Sequence, residues 1–363
     1  MHPEVHFAAS YADARAKFLA AALDAGAHVR RRLHPERGPT GETLAVDVAR
    51  LGPANARRVL VVVSATHGAE GFCGSGVQTG LLAERDAPRP LAPDTALVLI
   101  HAINPFGFAW LSRTTHENVD LNRNFVDHRA GAWPANPGYE ELAAAIVPGE
   151  WNEATKAEAD RKLDAYGAAH GQFALQSAIS IGQWSHADGA FYGGRAATWS
   201  RRALEAICCD ELASARRAIL LDFHTGLGPR GYGEPISCHA PDSAADRRAR
   251  AIFGDEVTNP AAGNSTSAAV MGTLDDGIAG AAPWAEWTSL ALEFGVVPVK
   301  DTLDAIRADA WLARDRKSTS HTARAIRQRM RETFYGDDAE WKARVWARGS
   351  DFAARAFTAL ERM

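Results

Sequence analysis

No stretch of these 363 residues supplies the roughly 18 uncharged, apolar positions that a membrane-spanning helix needs. The opening segment, MHPEVHFAASYADARAKFLAAALDAG, has neither a basic start nor an apolar signal core. Cysteine is scarce: Cys73, Cys208, Cys209 and Cys238 make no CxxC pair and no small disulfide framework, which fits free thiols in a reducing compartment. A cytoplasmic protein without a membrane partner is therefore expected. An excess of charge of one sign is also missing. Forty basic and 44 acidic side chains leave a net charge of -4, so nothing draws the chain generally to phosphate backbones, and nucleic acid is not expected as a partner. Internal repeats, low-complexity tracts and the Gly-x-Ser-x-Gly elbow of serine hydrolases are absent, since Gly74-Ser75-Gly76 lacks the spacing.

What remains is ordinary globular composition, 46% hydrophobic and 23% charged. The length suits one large α/β domain or two smaller ones. A single domain over 1–363 is expected, with an irregular insertion at about 128–200 and a helical segment from about 300. Phe18, Leu19, Ala22 and Leu23 recur at helical spacing between Ser10 and Asp24, and Gly26 supplies a stop. Leu44, Val46 and Val48 alternate as in an exposed strand, whereas Val59–Val63 is a continuous apolar run and reads as a buried one. Further apolar runs fall at Ala96–Ile100, Ala218–Leu221 and Leu290–Leu292, with helical stretches at about 73–85, 201–217 and 243–254. This alternation predicts a largely parallel or mixed sheet covered on both faces. The 128–200 segment, rich in Trp, Gly and Pro, is expected to give loops and short helices around a site. Trp311, Ala323 and Ile326 are candidate core contacts beyond it, and Trp341 to Phe357 forms a closing helix.

Four apolar runs end directly in reactive side chains: VLVVVSATHGAEG, ALVLIHAINPFG, AILLDFHTGLG and SLALEFG. Ligands of open α/β sheets bind beyond the carboxyl ends of the strands, so His67, Glu70, Asn104, His224 and Glu293 are expected to converge. His67 and Glu70, separated by two residues in a glycine-flanked turn, can share a metal. A catalytic zinc site uses three protein ligands and leaves a fourth position for water, and His224 at another strand end is the natural third. Asp222 or Asp120 can accept the free N–H of a ligand imidazole. Glu293 closes an apolar strand, where a carboxylate is costly without a task; a general base for metal-activated water is one such task and a strand-end salt bridge is the other. In the segment from Arg113 to Phe125, Arg123 can clamp a carboxylate with two parallel hydrogen bonds and Asn122 can add a donor.

Taken in order, HGAEG, NVDLNRNF, DFHTG and LEFG resemble the zinc carboxypeptidase superfamily, including its succinylglutamate desuccinylase and aspartoacylase branch, and most of all the carboxypeptidase-like DUF2817 group. The matching motifs span roughly residues 60 to 295. The resemblance implies an α/β fold with a mixed, mostly parallel eight-stranded sheet between helices, and one zinc ion per chain bound by His67, Glu70 and His224. It further implies that Asp120 orients His67, Arg113 stabilises the oxyanion, Asn122 and Arg123 hold a substrate carboxylate, and Glu293 activates water. The implied substrate is a small molecule or short peptide with a free carboxylate, cleaved at the adjacent amide as a carboxypeptidase or an N-acyl amino acid deacylase would. Between Tyr232 and Glu293 there is no tyrosine to match the one that peptidases of the superfamily carry on a mobile loop. A catalytically silent protein binding zinc or carboxylate on the same fold is the alternative, and intact Glu293 argues against it. Several divalent ions suit a His-Glu-His set, and a homo-oligomer is compatible with the sequence.

Overall fold

The four apolar runs become neighbouring strands in the computed structural model, which describes residues 2–90 and 92–362. In chain order the strands are β1 (His28–Arg37), β2 (Thr43–Leu51), β3 (Arg58–Val63), β4 (Thr95–His101), β5 (Arg217–Arg230), β6 (Glu234–Ile236) and β7 (Glu286–Gly295). They form one sheet in the order β1-β2-β4-β3-β5-β7-β6. The runs themselves, β4, β3, β5 and β7, are mutually parallel. The strands β1, β2 and β6 join them antiparallel at the two margins. Among the described residues the mixed sheet thus has seven strands where the resemblance implied eight. Because the four central strands run the same way, their carboxyl ends share one edge.

The helices are α1 (Tyr11–Asp24), α2 (Gly71–Ala83), α3 (Pro105–Trp110), α4 (Pro137–Ile146), α5 (Glu153–His170), α6 (Gln172–Ser180), α7 (Trp199–Glu211), α8 (Ala244–Phe253), α9 (Leu274–Ala281), α10 (Val299–Leu312), α11 (His321–Phe334) and α12 (Ala339–Arg362). Strand alternation sends Leu60 and Val62 of β3 to one face and Val59, Val61 and Val63 to the other. The first face packs under α1, α2, α8 and α12, with Phe18, Phe72, Phe253 and Phe352 in its core. The second packs under α7 and α9, through Leu204, Ile207, Leu274 and Ile278. Helix α2 carries four glycines, against its intrinsic propensity, because its neighbours approach too closely for side chains: Phe108, Phe7 and Trp346 at Gly71, Gly76 and Gly80, and the sheet at Gly74. A Cβ on Gly74 would come within 2.8 Å of both Ser64 and Phe223.

One expectation fails at the sheet margin, and one strand there had no sequence reading. The strand around Leu44, Val46 and Val48 is buried rather than exposed. Helix α1 covers it, with the Tyr11 hydroxyl bonded to Ala45, and β1 pairs along its outer edge. The sequence of β1, HVRRRLHPER, has no apolar alternation and gave no strand signal. It persists as a charged edge strand: Arg31 joins Arg15 on buried Asp47, and Arg32 reaches Asp210.

The 128–200 segment adds no strand to the sheet, but its helices are not all short, since α5 has 18 residues. Tyr139, Leu142, Ile146, Leu163 and Ile179 of α4, α5 and α6 build a third core with Ile306 of α10 and with Met330 and Phe334 of α11. Beyond it Ala323 and Ile326 are buried as expected, and Trp311 packs beside them half-buried.

Candidate metal centre

Strand β3 leaves the sheet at Ser64, and the chain then turns through Ala65 in the left-handed region (φ 60°). That conformation costs a non-glycine residue roughly 1 kcal/mol. The turn is fixed from the neighbouring strand exit, as Ile103 N–H donates to Ser64 O and Asn104 N–H to Ala65 O. The 3-10 turn Gly68–Glu70 follows, and a Cβ on Gly68 would lie 2.0 Å from the carbonyl carbon of Gly107. Only glycine permits this approach, and it presents His67 and Glu70 on one side of the turn. His224 stands in β5 directly opposite Glu293 of β7.

The three candidate ligands meet. His67 Nδ1 lies 3.0 Å from Glu70 Oε1 and 3.3 Å from His224 Nδ1, which is 3.2 Å from Glu70 Oε2. Donors about 2.1 Å from a tetrahedral ion stand about 3.4 Å apart, so two nitrogens and a carboxylate at these spacings fit a divalent cation. No other such grouping of His, Cys, Asp or Glu occurs among the described residues. The second imidazole nitrogens are held from behind: His67 Nε2 is 3.1 Å from Asp120 Oδ1 and His224 Nε2 is 2.7 Å from Asp222 Oδ2. Asp222 is itself fixed by the Thr66 hydroxyl, and Glu70 Oε2 accepts from the Thr225 N–H at 3.0 Å. Both imidazoles are thereby set to turn Nδ1 inward as the acceptor a metal requires.

Arg113 crosses this arrangement. Its Nε donates to Asp120 Oδ2 at 2.9 Å, while its terminal nitrogens lie 3.2 Å from Glu70 Oε1 and 2.9 Å from His67 Nε2. His67 Nε2 cannot both accept from Arg113 and donate to Asp120, and the tautomer that frees Nδ1 is the one that donates to Asp120.

The electrostatics follow from burial opposed by neighbours. Burial pushes the Asp120 carboxyl up, but Arg113 and then His67 outweigh it and hold it well below the carboxylate range. Glu70 is likewise lowered, by His67 and His224 against its own burial. Burial disfavours charge on His224, yet Asp222 and Glu70 raise its pKa well above the usual value in the metal-free protein. Glu293 shifts the other way. Burial, and then the negative charge of Glu70, push its carboxyl up to about 8.

A cavity of about 520 Å3 opens over the triad, and Arg113, Asn122, Arg123 and Glu293 all border it. Glu293 Oε1 accepts from the Leu227 N–H at 2.9 Å, and its other oxygen has no hydrogen-bond partner among the described residues. The Asn122 oxygen is taken by the N–H of Leu274 at 2.7 Å, which leaves its NH2 group for the cavity. Arg123 is partly engaged already. It donates to Asn122 O at 2.8 Å and Ser180 O at 2.6 Å, so three of the five guanidinium N–H groups are unspent, and buried Nε has no partner. Asn104 does not reach the cavity; it caps α3 and binds Arg113 O. Three contributors gave no sequence signal: the Thr225 N–H, Cys238 in the cavity lining, and Phe191, whose ring lies 5.1 Å from the Arg113 guanidinium and 5.8 Å from that of Arg123.

Comparison with solved structures places carboxypeptidase A from Helicoverpa armigera among the similar folds, at 15% identity over 94% of this chain and 73% of that one, with a TM-score of 0.42. A metallo-carboxypeptidase from Burkholderia cenocepacia aligns at 12% identity over 96% of this chain and 69% of its own, TM-score 0.44. An aspartoacylase family protein from Mesorhizobium loti aligns at 14% over 79% and 66%, TM-score 0.37. No curated protein matches the sequence. At the level of sequence families the assignment is direct: residues 7–348 match the family described as "Protein of unknown function (DUF2817)", and the chain belongs to it.

Proposed function

We propose that the protein is a zinc-dependent hydrolase that cleaves an amide bond beside a free carboxylate. The observation that carries this reading is the inward pair of Nδ1 atoms with Glu70, each imidazole backed by an aspartate. His67, Glu70 and His224 would hold one Zn2+ per chain, which when bound polarises a carbonyl and lowers the pKa of water.

The chain's own residues do the rest. Arg123 and the Asn122 amide bind the substrate carboxylate, with Arg123 made a stronger partner by its burial. Arg113 donates to the carbonyl oxygen as negative charge gathers there. The free oxygen of Glu293 takes a proton from the attacking water. The water oxygen bonds to the carbonyl carbon, the C–N bond breaks, and Glu293 returns the proton to the leaving amine. An unpartnered carboxylate oxygen beside the triad favours chemistry over silent binding.

The test is elemental analysis of purified protein joined to hydrolysis of N-acyl amino acids and dipeptides, each against its C-terminal amide. About one zinc per chain is expected. Masking the carboxylate leaves Arg123 desolvated and unpaired, a loss of several kcal/mol, so kcat/KM should fall roughly a hundredfold or more, and Arg123→Ala should erase the difference. Equal kcat/KM for acid and amide in the wild type would remove Arg123 from carboxylate recognition.

A further inference from the structure

Residues of the third core, Leu163, Ile179 and Ile306, also line the cavity, with Gln172 and Gln176 of α6 beside them. Arg123 marks one end through its bond to Ser180 O at the close of α6. Helix α6 has nine residues, roughly 13 Å at 1.5 Å per residue. Its Ile179 and Leu175 line the cavity on the way back from that end, and Leu163 of α5 continues the same wall. Across from them stands α10. Thr302 fixes it beside the triad by donating to Gly226 O at 3.0 Å, two residues beyond His224, and it contributes Leu303 and Ile306 to the lining.

The buried charge within this branch of the cavity, Arg307, is already paired. Arg307 is 1% exposed and donates four of its five N–H groups to Ala145 O, Ile146 O, Asp160 and Asp304. Asp304 is shared with Lys156. Apart from Arg123 and Glu293 at the catalytic end, the cavity-lining charges without an ionic partner among the described residues, Asp164 and Lys300, are exposed to solvent, where water screens them. A second substrate carboxylate drawn into this branch would be desolvated with no unpaired buried cation to receive it.

We propose that this branch is an acyl subsite, and that the amide cleaved carries an unbranched, medium-chain apolar acyl group in place of an acetyl or a dicarboxylic one. The proposal rests on the hydrolase reading above for the position of the carbonyl. Leu163, Leu175, Leu303 and Ile306 then determine specificity by removing the chain from water, the first two supplied by helices of the 128–200 segment and the other two by α10.

The test has two arms. In the first, kcat/KM is measured on N-acetyl, N-butanoyl, N-octanoyl and N-succinyl forms of one amino acid with the zinc-loaded protein. Burial of methylenes predicts a rise of roughly tenfold or more from acetyl to octanoyl, with the succinyl form below the butanoyl. In Leu175→Asp and Leu303→Asp the octanoyl-to-acetyl ratio should collapse toward one. A flat series, or a succinyl preference, overturns the subsite while leaving the hydrolase reading intact. In the second arm, octanoate and acetate are titrated into the same protein by calorimetry. Octanoate should bind at least tenfold more tightly, and Leu175→Asp should abolish the difference. Octanoate binding with no hydrolysis of any substrate would sustain the subsite and defeat the hydrolase reading. Equal affinities would overturn the subsite whatever the activity.

Discussion

Glu293 is poised by contrast with its neighbours: one oxygen is occupied by the Leu227 N–H, the other is free, and burial with Glu70 nearby keeps its proton affinity high. In Glu293→Gln the amide can keep the hydrogen bond from Leu227 but cannot take a proton from water. Zinc content and melting temperature should stay near wild type while kcat falls by a factor of about 10² to 10⁴; wild-type turnover would exclude Glu293 from proton transfer. His67→Ala removes one of the three proposed ligands together with its contact to Asp120. Elemental analysis should then find most of the zinc lost after dialysis, and full occupancy would defeat the ligand assignment. Arg113 shows how tightly these residues are coupled, since it touches Asp120, Glu70 and His67 together. Its replacement is therefore expected to disturb both metal affinity and turnover, and is a poor probe of either alone.

At the scale of elements, the roof of the cavity depends on how α10 is tied to α4 and α5. Arg307 makes that tie with two backbone carbonyls at the end of α4 and with Asp160 of α5. Removing it strands two acceptors and a carboxylate, although Asp160 is 34% exposed and partly hydrated. Arg307→Ala should therefore destabilise the fold by about 3 kcal/mol. The same change should open the 137–180 region to limited proteolysis before the sheet unfolds. A melting temperature within a degree of wild type would show that the third core holds these helices without the arginine. The margin of the sheet shows the reverse dependence, with polar strand β1 kept in place by charge pairs to Asp47 and Asp210 rather than by apolar burial.

Across the whole molecule, two buried histidines set an acid limit on stability away from the metal centre. Burial lowers His101 to about 4, and burial together with His116 lowers His34 to about 4. His101 stacks on Phe18, with ring centroids 4.4 Å apart, and is hydrogen bonded to Ser75. In the unfolded chain both groups titrate near 6.5. A depressed folded pKa contributes stability that is complete above about 6.5 and is lost as pH falls through about 4. The melting temperature should accordingly hold near neutrality and drop between pH 6.5 and 4. His34→Phe, which keeps a ring against Phe106 and Trp199, should flatten part of that slope. An unchanged slope in the variant would show that His34 takes no part in it.

Much of the site was legible in the chain because it is built from local signals. An apolar run followed at once by a reactive cluster is a strand end, and parallel strands in one sheet put their ends together, so HGAEG, DFHTG and LEFG could be assembled on paper. The DUF2817 match bears out that resemblance. Other features depend on partners far away in sequence and could not be read. Strand β2 looked exposed because the residues that bury it lie in α1 and in charged β1. Arg123 looked like a free fork, yet Ser180, 57 positions on, takes one of its N–H groups. Which imidazole nitrogen turns toward Glu70 is fixed by Asp120 and Asp222 from behind. The apolar branch of the cavity exists only where α5, α6 and α10 meet. Strand and turn propensities act over a few residues and leave their mark in the sequence, whereas burial and hydrogen-bond satisfaction are properties of the folded neighbourhood and are decided there.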